Sequence, residues 1–395
     1  MGTPSIIALD FFGAAMENGE IPSIIQSIGY FGKTIQNDNI SHSTEKVINC
    51  YSLRLVPEYM QLQIVSERLL ATQVVKQFNW GYSIHLDNIA SIDEYLKRQF
   101  KSKYRSIIRR YVNRLEHCFP IKYKLFYGEI DEKTYRFIMG SLHQMIIARF
   151  GQRKETHKEF HRWETLVNET RPKILNKQAS LFVIYDGEHP IQISLNYHFD
   201  KILFSAISSY DINYAKFGLG HVEIYKQLQW CIENDHCVYE MGVGGMDYKR
   251  RWSNNIYQYQ HHIVYRKNKP LTRLLANIEI VRISAKEYLK SKNVNELVYK
   301  LKDFIIKKKN DRGHSPQKVS ITEVDVSVSI TGYHTLELPK SKNHFLKKYM
   351  CDFLYSKVEQ YSDVAILQSK KNQNIYLFKG KSNAQQLVFG NKKGA

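Results

Sequence analysis

Asn213-Tyr214-Ala215-Lys216-Phe217-Gly218-Leu219-Gly220 joins a strand-like segment, Ile202 to Tyr210, to a helical one that runs to about Asn234. Two glycines at such a junction let the backbone approach a ligand closely. The first turn of a helix also leaves N–H groups without intrahelical acceptors and carries the positive end of the helix dipole, which suits a pyrophosphate. A plain structural turn reads the same way, and both readings stand at this point. No Gly-Lys-Ser/Thr follows, so this is not a Walker-type phosphate loop. The third glycine of a dinucleotide fingerprint is missing, and the preceding strands read as antiparallel.

Working outward, three strands precede the turn: Ser180 to Tyr185, Pro190 to Phe199 and Ile202 to Tyr210. Asp186-Gly187 and Asp200-Lys201 supply the tight connections between them. Further upstream, Ile121 to Tyr127 reads as a strand. Asp131 to Phe150 reads as a helix with Tyr135, Ile138, Leu142, Met145 and Ile146 on one face, and a second helix spans about His157 to Leu175. Downstream come a short strand, Cys237 to Met241, a glycine-rich segment to Trp252, and a pair of strands within Tyr257 to Tyr265. Antiparallel strands first and a βαβ crossover late predict an α/β fold (an α+β mixed sheet) with helices on its faces.

Ser91-Ile92-Asp93-Glu94 has the spacing of a helix N-terminus, with Ser91 as cap and Glu94 three residues on. Lys97 to Arg114 then holds eight basic residues in eighteen and no acid. Arg105 and Arg109 share one face, while Tyr104, Ile107, Ile108, Tyr111 and Leu115 form an apolar stripe, so the segment predicts an amphipathic basic helix. Before it, Ile6 to Met16 and Ile21 to Ile28 read as short helices, and Asn49 to Leu55 and Gln61 to Val65 as strands. After the core, Pro270 to Lys290 and Val294 to Lys309 read as helices, followed by a charged linker from Lys307 to Gly313. Val319 to Ile330 then alternates like a strand. A helix, Ser341 to Gln360, and two strands, Val364 to Gln368 and Asn374 to Phe378, complete a basic α+β module. The predicted domains are an N-terminal region (1–95), a catalytic-type domain (96–268), a helical linker (269–312) and the small module (313–395).

The chain has 395 residues, 43% hydrophobic and 24% charged, an ordinary globular balance long enough for two or three domains. No apolar run approaches a membrane span. A formal net charge of +19 favours polyanionic partners or reflects a lysine-rich soluble surface. The five cysteines are odd in number and irregularly spaced, which argues against a disulfide framework. Cys231 and Cys237 near His236 lack a second ligand pair, so no metal is predicted. Met1 to Glu20 lacks the basic start of a secretory signal, which points to the cytoplasm.

Four pieces between Lys97 and Arg266 resemble the GNAT superfamily, in particular the group called BioF2-like or CelD-like acetyltransferases, relatives of the FemABX peptidyltransferases. They are the basic helix Ser102 to Glu116, Leu142-His143 with Arg149-Phe150-Gly151, Gly218-Leu219-Gly220, and Tyr239-Glu240-Met241-Gly242-Val243-Gly244 followed by Tyr248-Lys249-Arg250-Arg251-Trp252. The last is similar to the group's DFG-x-G…YK-x-x-W/F ending and is the most specific. The resemblance implies an acyl-CoA N-acyltransferase fold with an N-terminal region, either distinct or a partial GNAT-like unit, and a C-terminal α+β extension. It implies acyl-CoA as co-substrate, with the pyrophosphate at Gly218, Leu219, Gly220 and His221. Ala215 stands where the family motif has Gln or Arg, leaving Lys216 as a source of charge.

By the same resemblance Lys249 stabilises an oxyanion or holds a phosphate, Tyr248 protonates the leaving group, and Glu240 acts as base or orients Lys249. Apart from the resemblance, Arg105 and Arg109 are candidates to line an anionic substrate channel, and His143, a candidate base, and Trp252 are placed on the substrate side. Each has a plainer reading: surface lysine, core tyrosine, paired carboxylate, solvated helix face, structural histidine, packed tryptophan. The implied reaction carries an acyl group from acyl-CoA to an amine-bearing, anionic small-molecule acceptor, such as a cell-envelope or polysaccharide precursor. The alternatives are a FemABX-like transferase that uses aminoacyl-tRNA or acyl carrier protein, and a non-catalytic scaffold with a basic binding module.

Overall fold

Two separate parts of the chain interleave in one sheet. The computed structural model describes residues 5–40, 50–65, 68–153, 163–292, 319–338 and 341–390. The first part supplies β1 (Ile6–Asp10), β4 (Cys50–Pro57) and β6 (Leu70–His85). The second supplies β7 (Ile121–Phe126), β8 (Ala179–Asp186), β9 (His189–Phe199), β10 (Ile202–Tyr210), β11 (Val238–Val243) and β12 (Asn255–Arg266). Their order across the nine-stranded sheet is β1-β4-β12-β6-β11-β10-β9-β8-β7. The β1–β4 and β10–β11 pairs are parallel and the others antiparallel, so the sheet is mixed. Residues 1–95, expected as a region apart, thus contribute three strands to the sheet of the 96–268 segment. They also form a three-stranded sheet of β2 (Ile25–Tyr30), β3 (Lys33–Gln36) and β5 (Met60–Ile64).

Helices cover both faces. On one, α1 (Phe11–Asn18), α4 (Glu132–Arg153) and α5 (Trp163–Leu175) bury Phe11, Ile138, Leu142 and Ile174 against Leu181, Val183, Ile193 and Leu195. On the other, α2 (Ile92–Gln99), α3 (Ser102–Cys118) and α6 (Leu219–Glu233) pack Leu96, Ile108, Ile224 and Leu228 onto Leu203, Tyr239 and Met241. A short helix, α7 (Asp247–Trp252), follows β11, and α8 (Pro270–Ser291) lies on β6 and β12. No helix among the described residues is long and apolar enough to cross a membrane.

The C-terminal segment forms β13 (Val319–Val324), β14 (Tyr333–Thr335), α9 (Lys347–Lys357), β15 (Ala365–Ser369), β16 (Ile375–Lys379) and β17 (Ala384–Phe389). The strand order is β13-β17-β16-β15-β14. Phe353, Leu354, Phe378 and Leu387 join one apolar cluster with Val112, Phe217 and Leu219, so this module docks where α6 begins. Tyr355 meets Phe217 edge to face at 5.2 Å.

Several sequence expectations change. Ile6–Asp10 is a strand rather than the start of a helix, because Asp10 accepts the Gly13 N–H at 3.1 Å and starts α1 only there. Residues 21–28 are not helical: Ile25 onward pairs with β3 and β5. The basic segment divides at Phe100-Lys101 into α2 and α3, with the Arg105 guanidinium donating to the freed Phe100 carbonyl at 2.8 Å. Tyr257 to Tyr265 belongs to a single strand, paired to β6 on both sides of an irregularity between Gln258 and Gln260. Residues 341–346 make a 3-10 turn before α9, β13 stops at Val324, and β14 and β17 were not foreseen. The expected helix at 294–309, the linker at 307–313 and the start of the 157–175 helix lie outside the described residues.

In the β6–β12 pair, Gly81 lies opposite Tyr257. A Cβ there would fall 2.2 Å from the Tyr257 ring. Gly81→Ala is therefore expected to cost about 1–3 kcal/mol through overpacking, read as a lower urea midpoint at unchanged slope. An unchanged midpoint would refute this close packing.

Candidate active site

β10 and β11 are hydrogen-bonded neighbours over three residue pairs only, Ile202–Val238, Leu203–Tyr239 and Phe204–Glu240. Just beyond, β10 bulges between Ser205 and Ile207, and β11 shifts register against β6 between Glu240 and Val243. Gly242 takes φ 67°, and a Cβ on it would sit 3.2 Å from the Phe204 ring. The strands part, and the backbone groups of 205–210 that face the gap have no strand to pair with. The gap opens into a cavity of about 360 Å³. Residues 205–208 and the turn Gly218 to His221 line it, with Glu223, Tyr239, Met241, Tyr248, Lys249 and Arg149 around them.

The turn is built around Gly218. Its φ is 62°, and an added Cβ would lie 2.8 Å from the Tyr111 ring, so both conformation and space require glycine. The Gly218 carbonyl accepts the His221 N–H at 2.8 Å and the Val222 N–H at 3.2 Å. The N–H groups left at the head of α6 are therefore those of Leu219 and Gly220, rather than of Leu219 and His221 as the sequence suggested. A Cβ on Gly220 would meet nothing within 4 Å. Lys216 does not line the cavity: its ammonium lies 3.5 Å from Ser356 Oγ and 3.8 Å from Asp352, on the C-terminal module.

His221 faces the cavity through its imidazole. Trp252 Nε1, a donor only, bonds to His221 Nδ1 at 2.9 Å. That bond leaves the proton of the neutral ring on Nε2. Burial, with Arg251 nearby, holds the imidazole below its ordinary pKa, and Tyr111 stacks parallel to it at 5.6 Å. Trp252, expected on the substrate side, is fully buried, and its carbonyl accepts the Tyr95 hydroxyl. It is joined to the site by its hydrogen bond to His221 and by the apolar cluster that it shares with Tyr239 and Met241.

Tyr248 and Lys249 both line the cavity. The Lys249 ammonium donates to the carbonyls of Met241 at 2.5 Å and Val243 at 3.1 Å, tying α7 to the end of β11. Glu240 lies elsewhere. Alternate residues of a strand face opposite sides, so Tyr239 and Met241 reach the cavity while Glu240 points to the α1 face. There it is fully buried and accepts the Gly242 N–H at 2.7 Å and the Tyr59 hydroxyl at 2.9 Å. Burial pushes its carboxyl up to about 7. Among the described residues no ion pair joins it to Lys249.

The cavity instead contains an acid that the sequence reading missed. Glu223, 4% exposed, accepts hydrogen bonds from Ser194 Oγ, from Ser208 Oγ at 2.6 Å and from Gln227 Nε2 at 3.1 Å. Burial raises its pKa against these donors. A signal was present: Glu223 and Gln227 lie four residues apart on the face of α6 that also carries Leu219, Val222 and Leu228. A carboxylate on an otherwise apolar helical face requires a partner or a task.

The remaining expected site residues lie away from the cavity. Arg105 caps the break after α2, and Arg109 pairs with Asp93 at 2.7 Å. The His143 ring stacks on Trp163 at 4.6 Å, between α4 and α5.

Residues 102–250 match a family model described as an acetyltransferase (GNAT) domain. Every residue that lines the cavity falls within that span. Among solved structures, the chain is similar to FemX, with 10% identity, 57% of this chain and 74% of that one covered, and a TM-score of 0.41. It is similar to a conserved protein from Bacteroides thetaiotaomicron VPI-5482, with 8% identity, 56% and 71% coverage, and a TM-score of 0.37. A GCN5-related N-acetyltransferase from Sphaerobacter thermophilus aligns at 10% identity, with 55% and 60% coverage and a TM-score of 0.29. The search of curated proteins gives no match.

The placement of Glu240 has a pH signature. Its carboxyl is raised from 4.5 to about 7 in the fold, so between those values the folded state holds more protons than the unfolded one. The contribution of this group is complete below 4.5 and is lost as pH rises through 7. Glu240→Gln is expected to remove a slope of up to about 1.4 kcal/mol per pH unit from the unfolding free energy in that window. Denaturant melts between pH 4.5 and 7.5 check it; identical pH profiles for both proteins would show that Glu240 is not held in this way.

Proposed function

Starting from the GNAT-type acetyltransferase domain that residues 102–250 carry, we propose that the protein transfers an acyl group from an acyl-CoA thioester to an amine in the cavity between β10 and β11. One observation carries this reading: a single cavity joins the open N–H groups at the head of α6 to a buried carboxylate, Glu223. The first suits an anionic donor and the second suits an amine that must lose a proton.

The roles follow from chemistry. The Leu219 and Gly220 N–H groups and the dipole of α6 take the diphosphate. With only the Ala215 methyl there and the Lys216 ammonium turned to the C-terminal module, the backbone does this work. The unpaired edge of β10 offers N–H and C=O groups to the amides of the pantetheine arm, as an added strand would. N–H groups at the bulge suit the oxygen that becomes negative in the tetrahedral intermediate. The amine nitrogen forms the C–N bond and passes its proton to Glu223. The C–S bond breaks, sulfur leaves with the electron pair, and Tyr248 is positioned to supply its proton. The His221 Nε2–H adds a neutral donor. Lys249 acts by holding the loop after β11. No covalent enzyme intermediate is needed.

A second reading keeps the acceptor chemistry and replaces CoA by a polyanionic carrier, aminoacyl-tRNA or acyl carrier protein. The +19 charge favours it, and steeply salt-dependent carrier binding would mark it.

Glu223→Gln keeps the size of the side chain and removes its basicity. It is expected to lower the amine-dependent release of free thiol from acetyl-CoA by about 10²–10⁴-fold, with acetyl-CoA affinity little changed. Full turnover in the variant would remove Glu223 from the mechanism.

A further inference from the structure

Arg149, near the end of α4, faces the same cavity as Glu223. Its guanidinium lies over the Tyr210 ring, 4.7 Å from the ring centre. Its hydrogen bond to the Ser208 carbonyl is long, 3.5 Å from Nη1. Among the described residues it enters no ion pair. The other cations near the site are committed: Arg105 to a carbonyl, Arg109 to Asp93, Lys216 to the C-terminal module and Lys249 to two carbonyls. Arg149 therefore brings forked donors into a cavity whose one buried acid, Glu223, takes its hydrogen bonds from neutral groups and feels the Arg149 charge without pairing to it. Ser208 touches both, its hydroxyl on Glu223 and its carbonyl on Arg149. Arg149 and Glu223 thus share Ser208 without forming an ion pair, and the nearby guanidinium draws the Glu223 carboxyl down against the rise that burial imposes.

We propose that the acceptor is an amine that carries its own anionic group, a carboxylate or a phosphate, bound with the anion on Arg149 and the amine toward Glu223. This rests on the acyl-transfer reading above and adds the substrate class. It moves anion recognition from the α3 arginines, which the fold consumes, to the Arg149-Phe150-Gly151 segment. The transfer is balanced as before. The amine proton goes to Glu223, the acyl carbon exchanges sulfur for nitrogen, and the anion stays ionised throughout as a handle.

Binding of matched pairs by calorimetry, without any acyl donor, tests it. The common amino acids are compared with their amides, and an amino-sugar phosphate with the free amino sugar. The expected result is that at least one anionic amine binds about tenfold or more tightly than its neutral partner. The preference should disappear in Arg149→Ala and return in part in Arg149→Lys, which restores charge without the fork. Carboxylate and phosphate arms identify which anion is read. No anionic preference in any pair, or a preference that survives Arg149→Ala in a protein with unchanged thermal unfolding, overturns the proposal. Thiol release from acetyl-CoA is followed separately: its absence with every amine, alongside an Arg149-dependent preference, would count against the acyl donor and leave the acceptor class standing.

Discussion

The separation of β10 from β11 is the constraint on which the site depends. Two parallel strands that pair through Phe204 and Glu240 would normally continue, and here both are distorted at the same level. A bulge bends β10 and a register shift bends β11, and Gly242 both tolerates the turn and leaves room for Phe204. Unpaired backbone in a protein interior is costly unless it is satisfied. The open edge of β10 is therefore available to a ligand or to water. The head of α6, with Gly218 pressed against Tyr111, closes the same opening from above.

The segments around this opening hold it in shape. β6 runs between β11 and β12 and keeps β11 from closing against β10. Tyr59, from the loop between β4 and β5, seals the back of β11 by donating to Glu240. On the other side the C-terminal module packs on Phe217 and takes the charge of Lys216. A turn that has no basic side chain of its own to offer an anion is thus buttressed by apolar contact, and its N–H groups remain for binding.

Much of the central order was legible. Tight Asp-Gly and Asp-Lys turns, the helical spacing of apolar residues in α4 and the Gly218–Gly220 junction place β7 to β12 and α4 to α6 in the sequence. What failed has physical causes. Ile6–Asp10 and Ile25–Tyr30 are short apolar runs whose spacing fits helix and strand alike, and their partners lie in distant β4 and β5. The basic helix was seen but not its break, because the cap that allows it is Arg105, inside the predicted helix. At the site, the glycines, His221, Tyr248 and Lys249 converge on the cavity, whereas Glu240 belongs to the other face, a consequence of strand alternation that the motif alone does not state. Glu223 went unweighed, and Arg149 entered only as part of the resemblance, without a role, because their significance appears only when α6, α4 and β10 meet.

Titration of the protein with acetyl-CoA in a calorimeter, beside Gly220→Trp, tests the account at its centre. Gly220 faces open space within the cavity, so an indole there fills the opening without forcing the backbone. The account predicts saturable binding by the parent protein and its loss in Gly220→Trp at unchanged thermal stability. Equal affinity in both proteins would contradict it, because the donor would then bind somewhere other than the gap between β10 and β11.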